Sequence, residues 1–254
     1  MNLLDAKNVS KSYVSSNRSV TPALAGVSLI LTENEFLGIM GTSGSGKTTL
    51  LNVTSGIDRC DTGEIYIWGN DIRVMTKNEL SVFRRENIGM VFQDFNLLNS
   101  LTIKENIFVP LLLDGKYEMT EDGSIDRLAD AMDIVDILER YPYEISGGQQ
   151  QRAAICRAIV NHPKILFADE PTGNLDSKTS EKILSYFELV HDEYKTAILM
   201  VTHDPFTASH CDRVVFMEDG RVTGEITRKQ DKASFFDDIL EIIRGMNNAK
   251  GAWR

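Results

Sequence analysis

The sequence predicts an α/β fold: a mainly parallel central sheet flanked by helices, with an antiparallel β-region at the N-terminal end and a helical insertion. Short apolar runs at Glu35–Met40, Ile88–Phe92, Ile165–Ala168 and Thr196–Thr202 read as buried strands, and they alternate with helical stretches, the pattern of a parallel sheet. The stretch through Ala23–Leu31 instead alternates short apolar pieces with turns, as antiparallel strands do. From about Phe95 to Tyr143 no run reads as a strand, and Leu128, Met132, Val135 and Leu138 recur at three- and four-residue steps, which is helical spacing. The expectation is one domain over 1–254, with a core at about 1–94 and 144–225, a helical subdomain at about 95–143 and a helical tail at about 226–254.

The first strand carries chemistry at its end. Gly41-Thr42-Ser43-Gly44-Ser45-Gly46-Lys47-Thr48 fits the phosphate-loop pattern, and the helix after it reads as starting at Thr49. Glycines let successive N–H groups converge on phosphate oxygens, and the helix start adds partial positive charge. Lys47 is placed to bridge the β- and γ-phosphates of a nucleotide, and the Thr48 hydroxyl to ligate Mg²⁺.

The third strand ends in two acids, Asp169 and Glu170. Ligands of parallel sheets bind beyond the carboxyl ends of the strands. Asp169 there suits a Mg²⁺ partner, directly or through water, and Glu170 suits polarisation of an attacking water. The plainer alternative is that both acids cap a following turn. The same placement rule picks out Gln93, after Ile88–Phe92, and His203, after Thr196–Thr202. Gln93 is placed to orient water or complete the Mg²⁺ shell, and His203 to donate to the γ-phosphate; each also has an ordinary reading as a structural hydrogen-bonding group.

Composition narrows the class. The net charge of −10 is spread along the chain, which argues against a nucleic-acid binder. No apolar run reaches the roughly 18 residues of a membrane span, and Met1–Lys7 lacks the plan of a signal peptide. The three cysteines, Cys60, Cys156 and Cys211, have no metal or redox spacing and read as reduced, mostly buried thiols. Phe235, Phe236, Ile239, Leu240, Ile242 and Ile243 follow helical spacing and read as core or partner packing; the acids among them disfavour a membrane-surface helix.

Between the phosphate loop and the acids lies a second Gly-rich turn, Ile145-Ser146-Gly147-Gly148-Gln149, ahead of a helical stretch. Alone it is either a Ser-capped helix start or an anion site. With Tyr13, the phosphate loop, Gln93, Asp169-Glu170, Asn174-Leu175-Asp176 and His203 in this order, the set resembles the nucleotide-binding subunit of ATP-binding cassette (ABC) transporters, over about Leu3–Glu225. Ile145 stands where leucine is commonest, a small departure.

The resemblance implies an ABC-type phosphate-loop ATPase with a RecA-like core, ATP and Mg²⁺ as cofactors, and residue roles. Tyr13 stacks on adenine; its plain alternative is a partly buried strand aromatic. Thr49 joins the phosphate loop at the nucleotide. Ser146, Gly147, Gly148 and Gln149 meet the nucleotide of a second copy, Ser146 and Gly148 at its γ-phosphate, and Asp176 lines that interface. Two copies close head to tail over two ATP molecules and pull on a separate polytopic permease near Gln93 and the helical insertion, at the cytoplasmic face of a bacterial membrane. Leu97, Leu98, Leu101 and Ile103 line that dock or pack within the insertion. Phe167–Ser177 looks like the lipoprotein-releasing, macrolide-exporting and peptide-antibiotic-resistance branch. Phe92–Leu98 and Ser234–Ile239 look most like the bacitracin/lantibiotic type, whose members also engage a sensor kinase through the permease. The competing classes are a soluble ABC ATPase of cofactor assembly and a nucleotide-binding regulator without turnover, the latter disfavoured by Glu170 and His203.

Overall fold

A computed structural model describes residues 1–14, 19–116 and 123–251. Parts of the expected helical subdomain (117–122) and of the expected tail (252–254) lie outside the described residues. Two sheets organise the chain. The first runs β2 (Val20–Thr32), β1 (Asn2–Val14), β4 (Thr62–Ile67) and β5 (Asn70–Asp71), all antiparallel. The second has the order β10 (Arg221–Thr227), β9 (Arg213–Glu218), β3 (Phe36–Gly41), β8 (Ala197–Thr202), β7 (Ile165–Asp169) and β6 (Ile88–Phe92). Its pairings are parallel from β9 to β6, and β10 closes the edge antiparallel to β9.

The apolar runs are unbroken because their strands are covered on both faces. Successive residues point opposite ways. On β3, Phe36 and Met40 face one core while Leu37 and Ile39 face another. On β8, Ile198 and Met200 go with the first and Leu199 and Val201 with the second. The first core is shared with α3 (Ile103–Leu113), α5 (Gly147–Ile159) and α6 (Ser177–Asp192). The second lies between the two sheets and encloses α1 (Lys47–Thr54) through Leu50, Leu51 and Val53. Burying one Leu side chain contributes about 2 kcal/mol, so this central helix is fixed firmly.

Some expectations change. The helix after the phosphate loop starts at Lys47, not Thr49, so Lys47 and Thr48 project from its first turn. The spacing of Leu128 to Leu138 does not belong to one helix. α4 (Ser124–Ala131) stops before Asp133, which takes a left-handed φ of 54°, and a 3₁₀ turn follows at Val135–Ile137. Leu128, Met132 and Leu138 are buried, whereas Val135 is exposed. At the break the Asp133 carboxylate pairs with Arg152 and Lys182 at the surface. Ile103 is fully buried and Leu97 packs on the core, so of the four candidate dock residues only Leu98 is clearly exposed. β10 runs to Thr227, so the helical tail begins later, with α8 (Lys232–Gly251). Phe235 and Ile239 of α8 are buried, and Ile242 and Ile243 pack beside them. Cys156 and Cys211 are buried, Cys60 is half-buried, and all three are free thiols. No helix among the described residues is long and apolar enough to cross a membrane.

Candidate functional site

The four strands β3, β8, β7 and β6 are consecutive neighbours and run parallel, so their carboxyl ends form one edge. That edge collects the phosphate loop after β3, His203 after β8, Asp169 and Glu170 at the end of β7, and Gln93 after β6. Gly41, Thr42, Ser43, Gln93, Glu170 and His203 are among the residues lining a cleft of about 600 Å³. Phe216, Ile243 and Met246 contribute to an apolar side.

The loop's geometry demands its glycines at two points. Gly46 precedes the helix with φ 99°, and a Cβ there would sit 2.4 Å from the Ala23 carbonyl oxygen. A Cβ on Gly41 would meet the Met217 carbonyl oxygen at 2.3 Å. Ser45 is held by backbone bonds, its N–H donating to Thr42 O (3.2 Å) and its carbonyl accepting from Gly220 N–H (3.0 Å). Lys47 is buried and donates from Nζ to the carbonyls of Gly41 and Thr42, both at 2.9 Å. Burial lowers its pKa against the attraction of Glu170 and Asp169. The Thr48 hydroxyl donates to Asp169 Oδ1 at 3.1 Å. Burial pushes the Asp169 pKa up, the Thr48 bond lowers it, the nearby Glu170 charge raises it further, and Lys47 works against that. A cation beside Asp169 reverses such a shift, because it favours the ionised carboxylate.

Glu170 stands just past β7 in a left-handed conformation, φ 45°, uncommon for a side chain of its size. Its N–H donates to Val201 O at 3.0 Å. Its carboxylate Oε2 lies 2.6 Å from His203 Nδ1. His203 is itself exposed, its side chain 61% accessible. Gln93 is exposed and its Nε2 donates to Asn174 Oδ1 at 3.0 Å, while Asn174 Nδ2 donates back to Gln93 O and to Asp94. No group of three or more His, Cys, Asp or Glu side chains among the described residues is arranged to hold a metal.

Two candidate groups stand apart from the cleft. Tyr13 is 44% exposed and its hydroxyl donates to Asp58 at 3.0 Å. Thr49, in the first turn of α1, is a further partner of the phenol, so the ring sits beside the loop's helix. Lys11 Nζ lies 5.3 Å from the ring centre. Sequence reading missed Asp58 and Lys11, since nothing in their spacing ties them to Tyr13. Ser146 caps α5: its Oγ accepts from Gln149 N–H, and Gln149 Oε1 accepts from Ser146 N–H, a reciprocal capping box. Gly147 and Gly148 form the first turn of that helix. A Cβ on Gly148 would lie 2.5 Å from Thr179 Cγ2, so the helix start presses on α6. Asp176 caps α6 through Thr179, at 3.0 Å to the N–H and 2.6 Å to the hydroxyl. Residues 146–149 are not among those lining the cleft.

Comparison with known proteins points to one family. The family profile described as ABC transporter matches residues 24–173. An uncharacterized ABC transporter ATP-binding protein of Bacillus subtilis, YvcR, is 46% identical over 96% of this chain and 94% of its own length. The bacitracin export ATP-binding protein BceA of Halalkalibacterium halodurans is 40% identical over 98% of this chain and 99% of its own. Among solved structures, a dimeric post-hydrolysis state of the ATP-binding cassette MJ0796, bound to ADP and Pi, superposes with a TM-score of 0.80 at 36% identity, covering 89% of this chain and 99% of that one. The chain therefore belongs to the ABC transporter family, as one of its ATP-binding subunits.

Proposed function

We propose that this chain binds and hydrolyses ATP as one half of a head-to-tail pair that drives a separate membrane permease, in a peptide-antibiotic resistance and sensing system of the bacitracin type. One observation carries the paired part of this reading. The cleft gathers Gly41, Thr42 and Ser43 of the phosphate loop with Gln93, Glu170 and His203, while the helix start at Ser146–Gly148 takes no part in its lining. A second copy, turned head to tail, brings its Ser146 and Gly148 to the γ-phosphate that the cleft presents, with Gln149 and Asp176 along the joint.

The roles follow from placement. The loop N–H groups from Gly41 to Thr49 and the Lys47 ammonium hold the phosphates; Lys47 leaves two carbonyls of its own loop to do so. Tyr13 stacks on adenine. The residues present fit Mg²⁺, which favours a few hard oxygen ligands plus phosphate: Thr48 and Asp169 already share a hydrogen bond, and Gln93 offers a side-chain amide oxygen. Bound there, the ion neutralises phosphate charge. Glu170 orients the attacking water, and His203, 2.6 Å from it, donates to the γ-phosphate. Catalysis is then positioning plus electrostatics.

A groove of about 450 Å³ beside Phe92, lined by Arg84, Arg85, Arg157 and Leu113 among others and by no acid, supports a permease dock next to Gln93 and the helical insertion. Likeness to BceA along nearly the whole chain supports the peptide-antibiotic branch. A macrolide exporter of Syntrophobacter fumaroxidans, MacB, is 40% identical over 89% of this chain, which spans about a third of that protein (32%) and supports the alternative of a macrolide-export or lipoprotein-releasing motor. The subunit sits at the cytoplasmic face of the membrane, and a sensor kinase joins through the permease.

Ser146→Arg tests the pairing. ATP binding by a single chain is expected to stay intact, while ATP-driven dimerisation, read by size exclusion, and turnover are lost. Full turnover in this variant would refute the head-to-tail arrangement. Pull-down from native membranes is expected to recover one polytopic protein; recovery of none would refute the transporter role.

A further inference from the structure

The turn that carries Glu170 is anchored from three elements that are far apart in sequence. From β8 comes the Val201 carbonyl, which accepts the Glu170 N–H at 3.0 Å. From α5 comes Gln151, whose Nε2 donates to the Pro171 carbonyl at 2.6 Å. From α7 (Pro205–Ser209) comes Thr207, whose hydroxyl lies 3.1 Å from that of Thr172. Thr207 Oγ1 also lies 2.7 Å from Asp204 Oδ2, to which it donates its only hydroxyl proton. Thr172 is therefore the donor to Thr207. Asp204 directly follows His203 and caps α7 through the N–H groups of Phe206 and Thr207, so the Thr172 bond joins the Glu170 turn to the His203 loop.

Gln151 is the informative member. It is fully buried, lies five residues after the cap Ser146 on the same helix, and spends its amide donor on a carbonyl next to Glu170. Its Oε1 is buried with no partner. A core position filled for packing alone takes an apolar side chain, because an unmatched buried acceptor is unfavourable. The cost is explained if the donor half is needed. Glu170 also holds a left-handed backbone that its own preferences do not supply, so its carboxylate stays in place only while the surrounding bonds fix the turn.

We propose that Gln151 is a positioning residue, which ties the helix behind Ser146 to the turn of Glu170 and, with Thr172 and Thr207, sets the Glu170–His203 geometry. This rests on the head-to-tail reading above and deepens it. The half-site that a chain lends to its partner is thereby connected to the half-site it uses itself. A phosphate captured at Ser146 across the joint fixes α5, α5 fixes Pro171 through Gln151, and Glu170 is set for the chain's own ATP.

Gln151→Leu in the full chain tests the idea, with Thr172→Val and Thr172→Ser beside it. Gln151→Leu is expected to lower kcat about tenfold or more, as a small displacement of the reacting groups does, with KM for ATP within about twofold. ATP-driven dimerisation of the double variant Glu170→Gln/Gln151→Leu is expected to persist, and the melting temperature to stay within a few degrees. Thr172→Val, at a partly exposed site that folding tolerates, is expected to lower kcat in the same way and Thr172→Ser to restore it. Unchanged kcat in both Gln151→Leu and Thr172→Val overturns the proposal. So does a kcat loss that appears only together with lost dimerisation or a collapsed melting temperature, which would mark a structural role. If Ser146→Arg abolishes turnover while Gln151→Leu does not, the positioning role alone fails; if Ser146→Arg is harmless, the head-to-tail reading fails instead.

Discussion

The phosphate-loop edge and the start of α5 are both helix N-termini with glycines, yet they are built differently. At the loop edge three pairs join groups far apart in the chain: Thr48 with Asp169, Glu170 with His203, and Gln93 with Asn174, while Lys47 bonds two carbonyls of its own loop. These three pairs are brought together at the ends of neighbouring strands, so they survive only in the folded sheet. At α5 the partners are local. Ser146 bonds within its own first turn to Gln149, and Gly147 and Gly148 let that turn pack closely on Leu175, Phe95 and Thr179. The first surface is an assembled centre that needs a substrate. The second is a capped helix start which, in the proposed pair, gains its role from the phosphate that a second copy brings to it.

Several experiments can break or sharpen this contrast. Glu170→Gln strikes the assembled centre and has the largest expected effect, a fall in turnover of about 100- to 1,000-fold with ATP-driven dimerisation retained. Unchanged steady-state turnover would remove Glu170 from the catalytic role. Next comes a mixing experiment. Lys47→Ala disables one surface and Ser146→Arg the other, and each alone is expected to be inactive. Mixed together, one chain supplies the loop and its partner the helix start, so one composite site is whole, and measurable turnover should return. No recovery would mean that both surfaces serve the same chain.

Tyr13→Ala tests the edge of the loop surface. Stacking on an exposed ring contributes about 1 kcal/mol, so KM for ATP should rise roughly fivefold, with kcat kept and Tyr13→Phe near normal. The smallest effect on activity is expected at Glu188, on α6 behind both surfaces. Burial alone would raise its pKa, but His210 at 2.7 Å and the adjacent Lys232 pull it down from 4.5 to about 2. A carboxylate depressed in the fold stabilises it above its unfolded pKa and loses that contribution as pH falls through its folded pKa. Glu188→Gln should therefore lower stability at pH 7 by on the order of 1–3 kcal/mol. The gap to wild type should narrow from about pH 4.5 toward about pH 2, followed by thermal unfolding.

Much of the loop surface was legible because its groups sit at strand ends, and strand ends are marked by apolar runs. The runs before Gln93, Asp169 and His203 coincide with β6, β7 and β8 within a residue. Where spacing had to stand in for packing, it misled. Leu128 to Leu138 kept helical periodicity across a break at Asp133, whose left-handed φ of 54° ends the run that began with α4. Ile103, read as either a dock residue or packing within the insertion, is held in the core in the first turn of α3, and that choice depends on contacts that spacing does not show. Gln151 carried no signal beyond being one of three consecutive glutamines, and its partner Pro171 is 20 residues away.

The sequence by itself determined the chemistry and the fold class. A glycine's freedom, a helix start's charge and an apolar run's burial are local properties, so the loop, the acids and the second Gly-rich turn could be recognised from their neighbours alone. Tertiary structure decided which of these groups meet. The strand order β3-β8-β7-β6 places His203 against Glu170 and Thr48 against Asp169, and it leaves Ser146 out of the cleft that Glu170 and His203 line. That order depends on contacts between strands far apart in the chain, which no window of sequence contains.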